Sequence, residues 1–395
     1  MSRIPTSRPV AAGVLACLSL LVIGWTGLLV PSLIRSVKDA FDQSDAGLGL
    51  FYLLHASCYA TGSLVGGLAT ERLGRRTVLV GGAVLHGAGI AALGLAPSWA
   101  VFLLAALPTG LGAGILDGGA NGLILDLYTT GRGRALNLLH LFFSIGALAA
   151  PLTIGQLLAG GIGWQAIVVG TAVAVVPLVL LFGVVAMPGG HRRRPAHTPA
   201  TRAPRPRPSR VLVLLGLAIG LYVAAEVGVS SWLVRFLEPA PITTATVALS
   251  LYWAGLAVGR LVSSQLADRF DHRRFAAACA FGMAVALAGA IAVPSLPISI
   301  ALFGLAGVAS GPVYPMIVAI GGDRYPDRTA AVSGFLGGTA VFGSIIYPPV
   351  MGFLSVTVGL AIAMAGNVVI ALGCVGALLV VEGSRSEPIR ETAAG

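Results

Sequence analysis

Twelve long apolar runs leave this chain few ways to fold. A bilayer core of about 30 Å is crossed by about 20 apolar residues of helix. Runs of that kind, bounded by charge clusters and Pro/Gly turns, lie at 10–34, 47–70, 77–95, 100–127, 135–159 and 165–187. Six more follow at 211–236, 246–267, 275–293, 298–320, 331–354 and 359–381. With 56% hydrophobic and 10% charged residues, against about 25% charged in a soluble domain, the chain cannot cover its own surface in water. The expected fold is an all-α membrane protein of twelve transmembrane helices. The run from Val10 to Ile34 is too long for a signal h-region and has no small-residue cleavage site after it, so it reads as the first span. Cys17, Cys58, Cys279 and Cys374 fall inside apolar runs without CxxC spacing and read as packing residues.

The basic residues orient the spans. An even number of crossings puts both termini on one side, with loops 2–3, 4–5, 6–7, 8–9 and 10–11. Those segments hold 21 of the 25 Lys and Arg residues; Arg35, Lys38 and Arg235 lie at the opposite face, and Arg260 sits within a span. This asymmetry is the positive-inside pattern, and it predicts a multi-pass protein of the plasma membrane with both termini cytoplasmic. The formal charge of +10 is thereby topological and calls for no nucleic-acid partner. The stretch from His191 to Arg210, rich in Arg and Pro and without apolar runs, reads as an extended cytoplasmic linker. The expected organisation is a six-helix bundle over 1–187, the linker over 188–210, a second bundle over 211–382 and a tail over 383–395.

The halves repeat at an offset of about 197 residues. Gly67-x-x-x-Glu71-Arg72-x-Gly74-Arg75-Arg76 follows span 2, and Ser264-x-x-x-Asp268-Arg269 with Arg273 and Arg274 follows span 8. Asp117 of span 4 corresponds to Tyr314 of span 10, and Pro151 of span 5 to Pro348 of span 11. Two such repeats can rock against each other around a central site. The acidic-Arg-x-Gly-Arg-Arg loop resembles the signature of the major facilitator superfamily. That resemblance implies a cytoplasmic gate of Gly67, Glu71, Arg72, Gly74, Arg75, Arg76, Asp268 and Arg269, whose charges pair across the halves in the outward-facing state. Asp117-Gly-Gly-Ala-Asn121, Leu136-Asn137-Leu138-Leu139-His140 with FFSIGALAAP, Tyr222-x-x-x-Glu226 with Trp232, and YWAGLAVGRL ending at Leu261 resemble the fucose-permease-like sugar transporters. The proton-coupled fucose permeases carry acidic residues on spans 1 and 4; here span 1 has none, and Asp117 fits the second role.

Ionisable groups within spans are costly and usually face a cavity or a partner. Asp117 and Asn121 share a face of span 4, as do Asn137, His140 and Ser144 on span 5, Tyr222 and Glu226 on span 7, and Trp253 and Arg260 on span 8. Together these stripes would line a midplane cavity. Arg260 reads either as a structural partner of Glu226 or as a substrate contact, and His140 either as a ligand or as a hydrogen-bonded packing residue. Trp25, Trp232, Trp253, Tyr222 and Tyr314 are candidates to stack on a sugar ring, whereas Trp99 and Trp164 sit at span ends and read as interfacial belt residues. His55 and His86 read as packing residues. For proton coupling the candidates are Asp117 and Glu226, with Asp117 the better one because its own and adjoining spans show no evident basic partner.

These residues suit a secondary transporter, acting as a monomer, for a small polar solute such as a sugar, with protons a candidate second partner. The alternative of the same fold is a proton-driven exporter of drugs or secondary metabolites, for which Ala150-Pro151 and Gly155 are a partial motif. An enzyme or receptor is disfavoured: the chain has no nucleophile–base set, no GxxxxGK[ST] loop, no metal-ligand spacing and no cofactor motif.

Overall fold

The computed structural model describes residues 7–128, 132–185, 187, 209–266, 269–325 and 328–381, with the backbone alone at 7–9, 71, 132, 133 and 329–331. The tail expected at 383–395 and all but the last two residues of the linker expected at 188–210 lie outside them. The described residues form helices and no strand. The first half consists of α1 (Ser7–Gly27), α2 (Leu29–Ala40), α3 (Asp45–Leu73), α4 (Arg75–Gly94), α5 (Trp99–Leu127), α6 (Arg132–Ala159) and α7 (Trp164–Val184). The second consists of α8 (Arg210–Phe236), α9 (Ile242–Leu266), α10 (His272–Ala292), α11 (Leu296–Ser310), α12 (Val313–Arg324), α13 (Thr329–Val358) and α14 (Leu360–Val380).

Twelve stretches are long and apolar enough to cross a membrane, and two of them are each built from two helices in series. The first span runs past the expected Ile34 to Ala40 and changes direction at Leu28, where φ is −98° and ψ is 1°. The tenth breaks between Ser310 and Val313, at Gly311-Pro312, because proline has no N–H to continue the ladder. Elsewhere the termini are set locally: the side chains of Ser44, Ser98, Ser209 and Asp271 each accept a backbone N–H of the following first turn. Gly74, at φ 82°, turns α3 into α4.

We call the end where α1 and α8 begin the linker end, and the opposite end the far end. Helix packing follows the repeat: α1 on α6, α3 on α5 and α4 on α7 in the first half match α8 on α13, α9 on α11 and α10 on α14 in the second. One crossing is duplicated in detail. A Cβ on Gly62 would lie 2.2 Å from the Leu111 carbonyl oxygen, and one on Gly259, 197 residues later, 2.0 Å from that of Val308. Only glycine lets these backbones touch, and in a membrane such close packing replaces the hydrophobic drive available in water. Across the halves, α3 packs on α13, α6 on α9 and α2 on α8.

Of the two tryptophans at the far ends of α5 and α7, Trp164 departs from expectation. Trp164 is buried, and with Trp99, Phe41 and Phe102 it forms an aromatic cluster with ring centroids 5.4–6.2 Å apart. Trp164 is therefore a core residue, not a belt residue facing the membrane interface. The reading of His86 as a packing residue holds: it is buried, with Thr26 Oγ1 at 3.0 Å from one ring nitrogen and the Thr109 carbonyl at 2.8 Å from the other.

Candidate functional site

Six helices bring ionisable groups to the centre. On α5, Asn121 Nδ2 donates to Asp117 Oδ1 at 3.0 Å, as their i, i+4 spacing allows. The hydroxyl of Tyr59, on α3, is directed at the same carboxylate. His140, exposed on α6, stands within electrostatic reach of both Asp117 and Arg260. On α8, buried Glu226 accepts a hydrogen bond from Tyr222. Arg260 of α9 is in turn within reach of Glu226, Tyr222 and Tyr314. Tyr314 follows the break in the tenth span and also faces Asp117 and Glu226.

The centre thus carries two carboxylates, one from each half, with one guanidinium and one imidazole among them. Arg260 makes no ion pair within 4 Å among the described residues, Glu226 included, so its donors remain free for a ligand. Trp253, two turns before Arg260, is 5% exposed, and its Nε1 has no hydrogen-bond partner among the described residues. Its ring meets Phe143 of the other half edge-on at 5.8 Å. One expectation is corrected here: Asp117 does have a basic neighbour on an adjoining span, His140. Sequence order hid it, because the two residues meet only once α5 and α6 pack.

Other candidates lie apart from this centre. Trp25 Nε1 donates to Thr171 Oγ1 at 3.3 Å, tying α1 to α7. Trp232 is fully buried, donates to the Pro348 carbonyl at 2.9 Å and packs edge-on against Tyr52. In this conformation Trp232 offers no ring face to a ligand, whereas Trp25 is half-buried. Asn137 is exposed on α6 and shares a helical face with His140, which places it beside the centre.

The halves are fastened at the far end. Asp45, at the start of α3, accepts from Arg235 Nε of α8 at 3.0 Å, from Lys38 Nζ at 3.2 Å and from Ser355 Oγ of α13 at 2.5 Å. Arg35 of α2 donates to the carbonyls of Val234 and Ala240 at 2.9 and 2.8 Å, and Tyr52 to that of Ser231 at 3.0 Å. Lys38 and Arg235 are themselves equivalent under the 197-residue offset, so a repeated pair of cations converges on one carboxylate. Sequence reasoning passed over Asp45, Tyr59 and Ser355.

At the linker end no hydrogen bond or ion pair joins the gate residues across the halves among the described residues. Gly67, Arg72, Arg76 and Arg269 are exposed. Buried Arg75 pairs with Asp126 of its own half, and the repeat-equivalent His272 lies 3.1 Å from Asp323. The Glu71 side chain and Asp268 lie outside the described residues. Between described residues, every hydrogen bond, ion pair and ring contact joining the halves falls between mid-helix and the far end.

Twelve spans in two repeated halves, closed at one end around a buried polar centre, define a multi-pass membrane protein built for alternating access. The match to the family model of the Major Facilitator Superfamily covers residues 14–240 and 212–394. The chain belongs to that superfamily. It is 24% identical over 401 residues to the cis,cis-muconate transport protein of Acinetobacter baylyi, covering 96% of each chain. It is 28% identical over 378 residues to a glucose/galactose transporter of Brucella abortus, covering 88% of this chain and 89% of the relative. The E. coli fucose:proton symporter superposes with a TM-score of 0.62 at 20% identity, covering 95% of this chain and all of the other.

Proposed function

We propose that this protein is a proton-coupled transporter of a small neutral polar solute, a sugar, working as a monomer in the plasma membrane with both termini cytoplasmic. The observation that carries this reading is the pair of carboxylates, Asp117 and Glu226, contributed by opposite halves to one polar centre. Sugar hydroxyls donate to carboxylates, whereas a dicarboxylate such as muconate would meet two like charges and a single guanidinium. Binding one proton offsets the excess negative charge, a condition for occluding the site within a bilayer. The glucose/galactose relative and the fucose symporter support the substrate class. The 21-to-3 distribution of basic residues supports the orientation. In that orientation the far end is extracellular, and the bonds that close it support an inward-facing state. Residues 1–187 and 211–382 act as the two moving bodies.

In this reading Asp117, Asn121, Asn137, His140, Tyr222, Glu226, Trp253, Arg260 and Tyr314 contact the solute, and Asp117 carries the proton. Uptake of labelled sugars into proteoliposomes, with and without an imposed pH gradient, tests it. Saturable sugar counterflow is expected, and Asp117→Asn should abolish gradient-driven accumulation while sparing equilibrium exchange. Uphill accumulation by Asp117→Asn would remove that residue from coupling, and transport restricted to lipophilic cations or antibiotics would favour the exporter.

A further inference from the structure

A pocket of about 410 Å³ opens at the linker end of α10, lined by Arg269, Phe270, Asp271, Arg274, Phe275 and Ala278. Its charge is strongly uneven. The Asp271 carboxylate is engaged: it accepts the backbone N–H of Arg274 at 2.8 Å and lies 4.0 Å from Arg273 Nε. Arg269 and Arg274 are exposed and make no ion pair among the described residues. Two unpaired guanidinium groups therefore stand at the membrane boundary, where the span His272–Ala292 begins.

The apolar side of the pocket continues into the bilayer. Phe270, 55% exposed, stacks on Phe275 with centroids 5.7 Å apart and planes 9° from parallel. Arg274, Ala278, Phe281 and Val285 recur at helical spacing on one face of α10, and all four are exposed. The chemistry along this face runs from cationic at Arg274 to apolar at Ala278, Phe281 and Val285, in the order of a phospholipid from headgroup to acyl chain. A soluble anion would use the arginines and leave the stripe uncovered. The matching place in the first half has Thr77 where the second has Arg274, so the feature is not an outcome of the repeat.

We propose that this pocket binds an anionic phospholipid, its phosphate between Arg269 and Arg274 and an acyl chain along Ala278, Phe281 and Val285. Native mass spectrometry of the full-length protein in detergent, with phosphatidylglycerol or phosphatidylcholine added, reads the bound lipid directly. Wild type should retain phosphatidylglycerol over phosphatidylcholine. Each of R269Q and R274Q should weaken retention about fivefold, the usual effect of one basic residue at a membrane surface, whereas R210Q, outside the pocket, should leave it unchanged. A278W keeps both charges and fills the acyl path, and it should also lower retention. Equal retention of the two lipids, an equal loss in R210Q, or unchanged binding in A278W would overturn the proposal. Binding of inorganic phosphate with no lipid preference would overturn it in favour of a soluble anion.

Discussion

Replacing Asp45 by asparagine should release the far end. The carboxylate joins two cations and one hydroxyl, but Lys38 belongs to its own half, so of the bonds to Asp45 those from Arg235 at 3.0 Å and Ser355 at 2.5 Å cross between the halves. A hydrogen bond to a charged group contributes about 1.5–3 kcal/mol, and the amide retains an acceptor oxygen for the weaker partner. The loss is then about 2 kcal/mol, or about 30-fold in the balance between closed and open far ends. Repulsion between Lys38 and Arg235, then offset by Glu238 alone, acts in the same direction. If the far end is open in about 1% of molecules, the variant raises this to about a quarter. Nitroxides at positions 39 and 241, both exposed and one in each half, report the opening by pulsed spin-resonance distances in a Cys-free background. The long-distance population should grow in Asp45→Asn. An unchanged distance distribution in a variant of unchanged thermal stability would refute the clasp.

Two further outcomes follow from the central site and the helix crossings. Glu226→Gln removes the charge that Tyr222 and Arg260 face, and should weaken substrate binding about tenfold, as loss of one charge-assisted bond implies; binding of wild-type strength in a calorimetric titration would exclude Glu226 from the site. Gly259→Leu forces a side chain to where even a Cβ lies 2.0 Å from the Val308 oxygen, and should cost about 1–3 kcal/mol, seen as a lowered Tm. Gly62→Leu should act alike, and a Tm unchanged in both would show that the crossings yield without cost.

The spans were legible because a bilayer demands about 20 apolar residues and admits little else. Charge placement and the 197-residue offset were legible for similar reasons: both are linear properties of the chain. The carboxylates of the centre could be picked out because a charge inside an apolar run is rare. Their neighbours could not. Tyr59 reads as one more aromatic in span 2, and its role depends on the α3–α5 crossing that sets it against Asp117. Asp45 reads as an ordinary polar residue before a span, while its partners Arg235 and Ser355 lie 190 and 310 residues away. Nothing local separates Trp164, which faces the core, from a tryptophan that faces lipid headgroups, since both sit at a span end. The breaks at Leu28 and Gly311 were missed because the apolar pattern runs through them, although Gly311-Pro312 was a visible signal.

The convergence of Lys38 and Arg235 on Asp45 bears on how a duplicated protein can close. Position 242, the repeat-equivalent of Asp45, is Ile242, so the carboxylate exists in one copy while the cations exist in two. The second half offers Arg235 only Glu238, three residues on along the same chain, whereas the bond that crosses the halves goes to Asp45. Repetition of the first half would supply a carboxylate for each cation. The bond at Asp45 is therefore a product of divergence: there the first half supplies the acceptor and the second half the donors Arg235 and Ser355, and a homodimer of second halves would lack that acceptor.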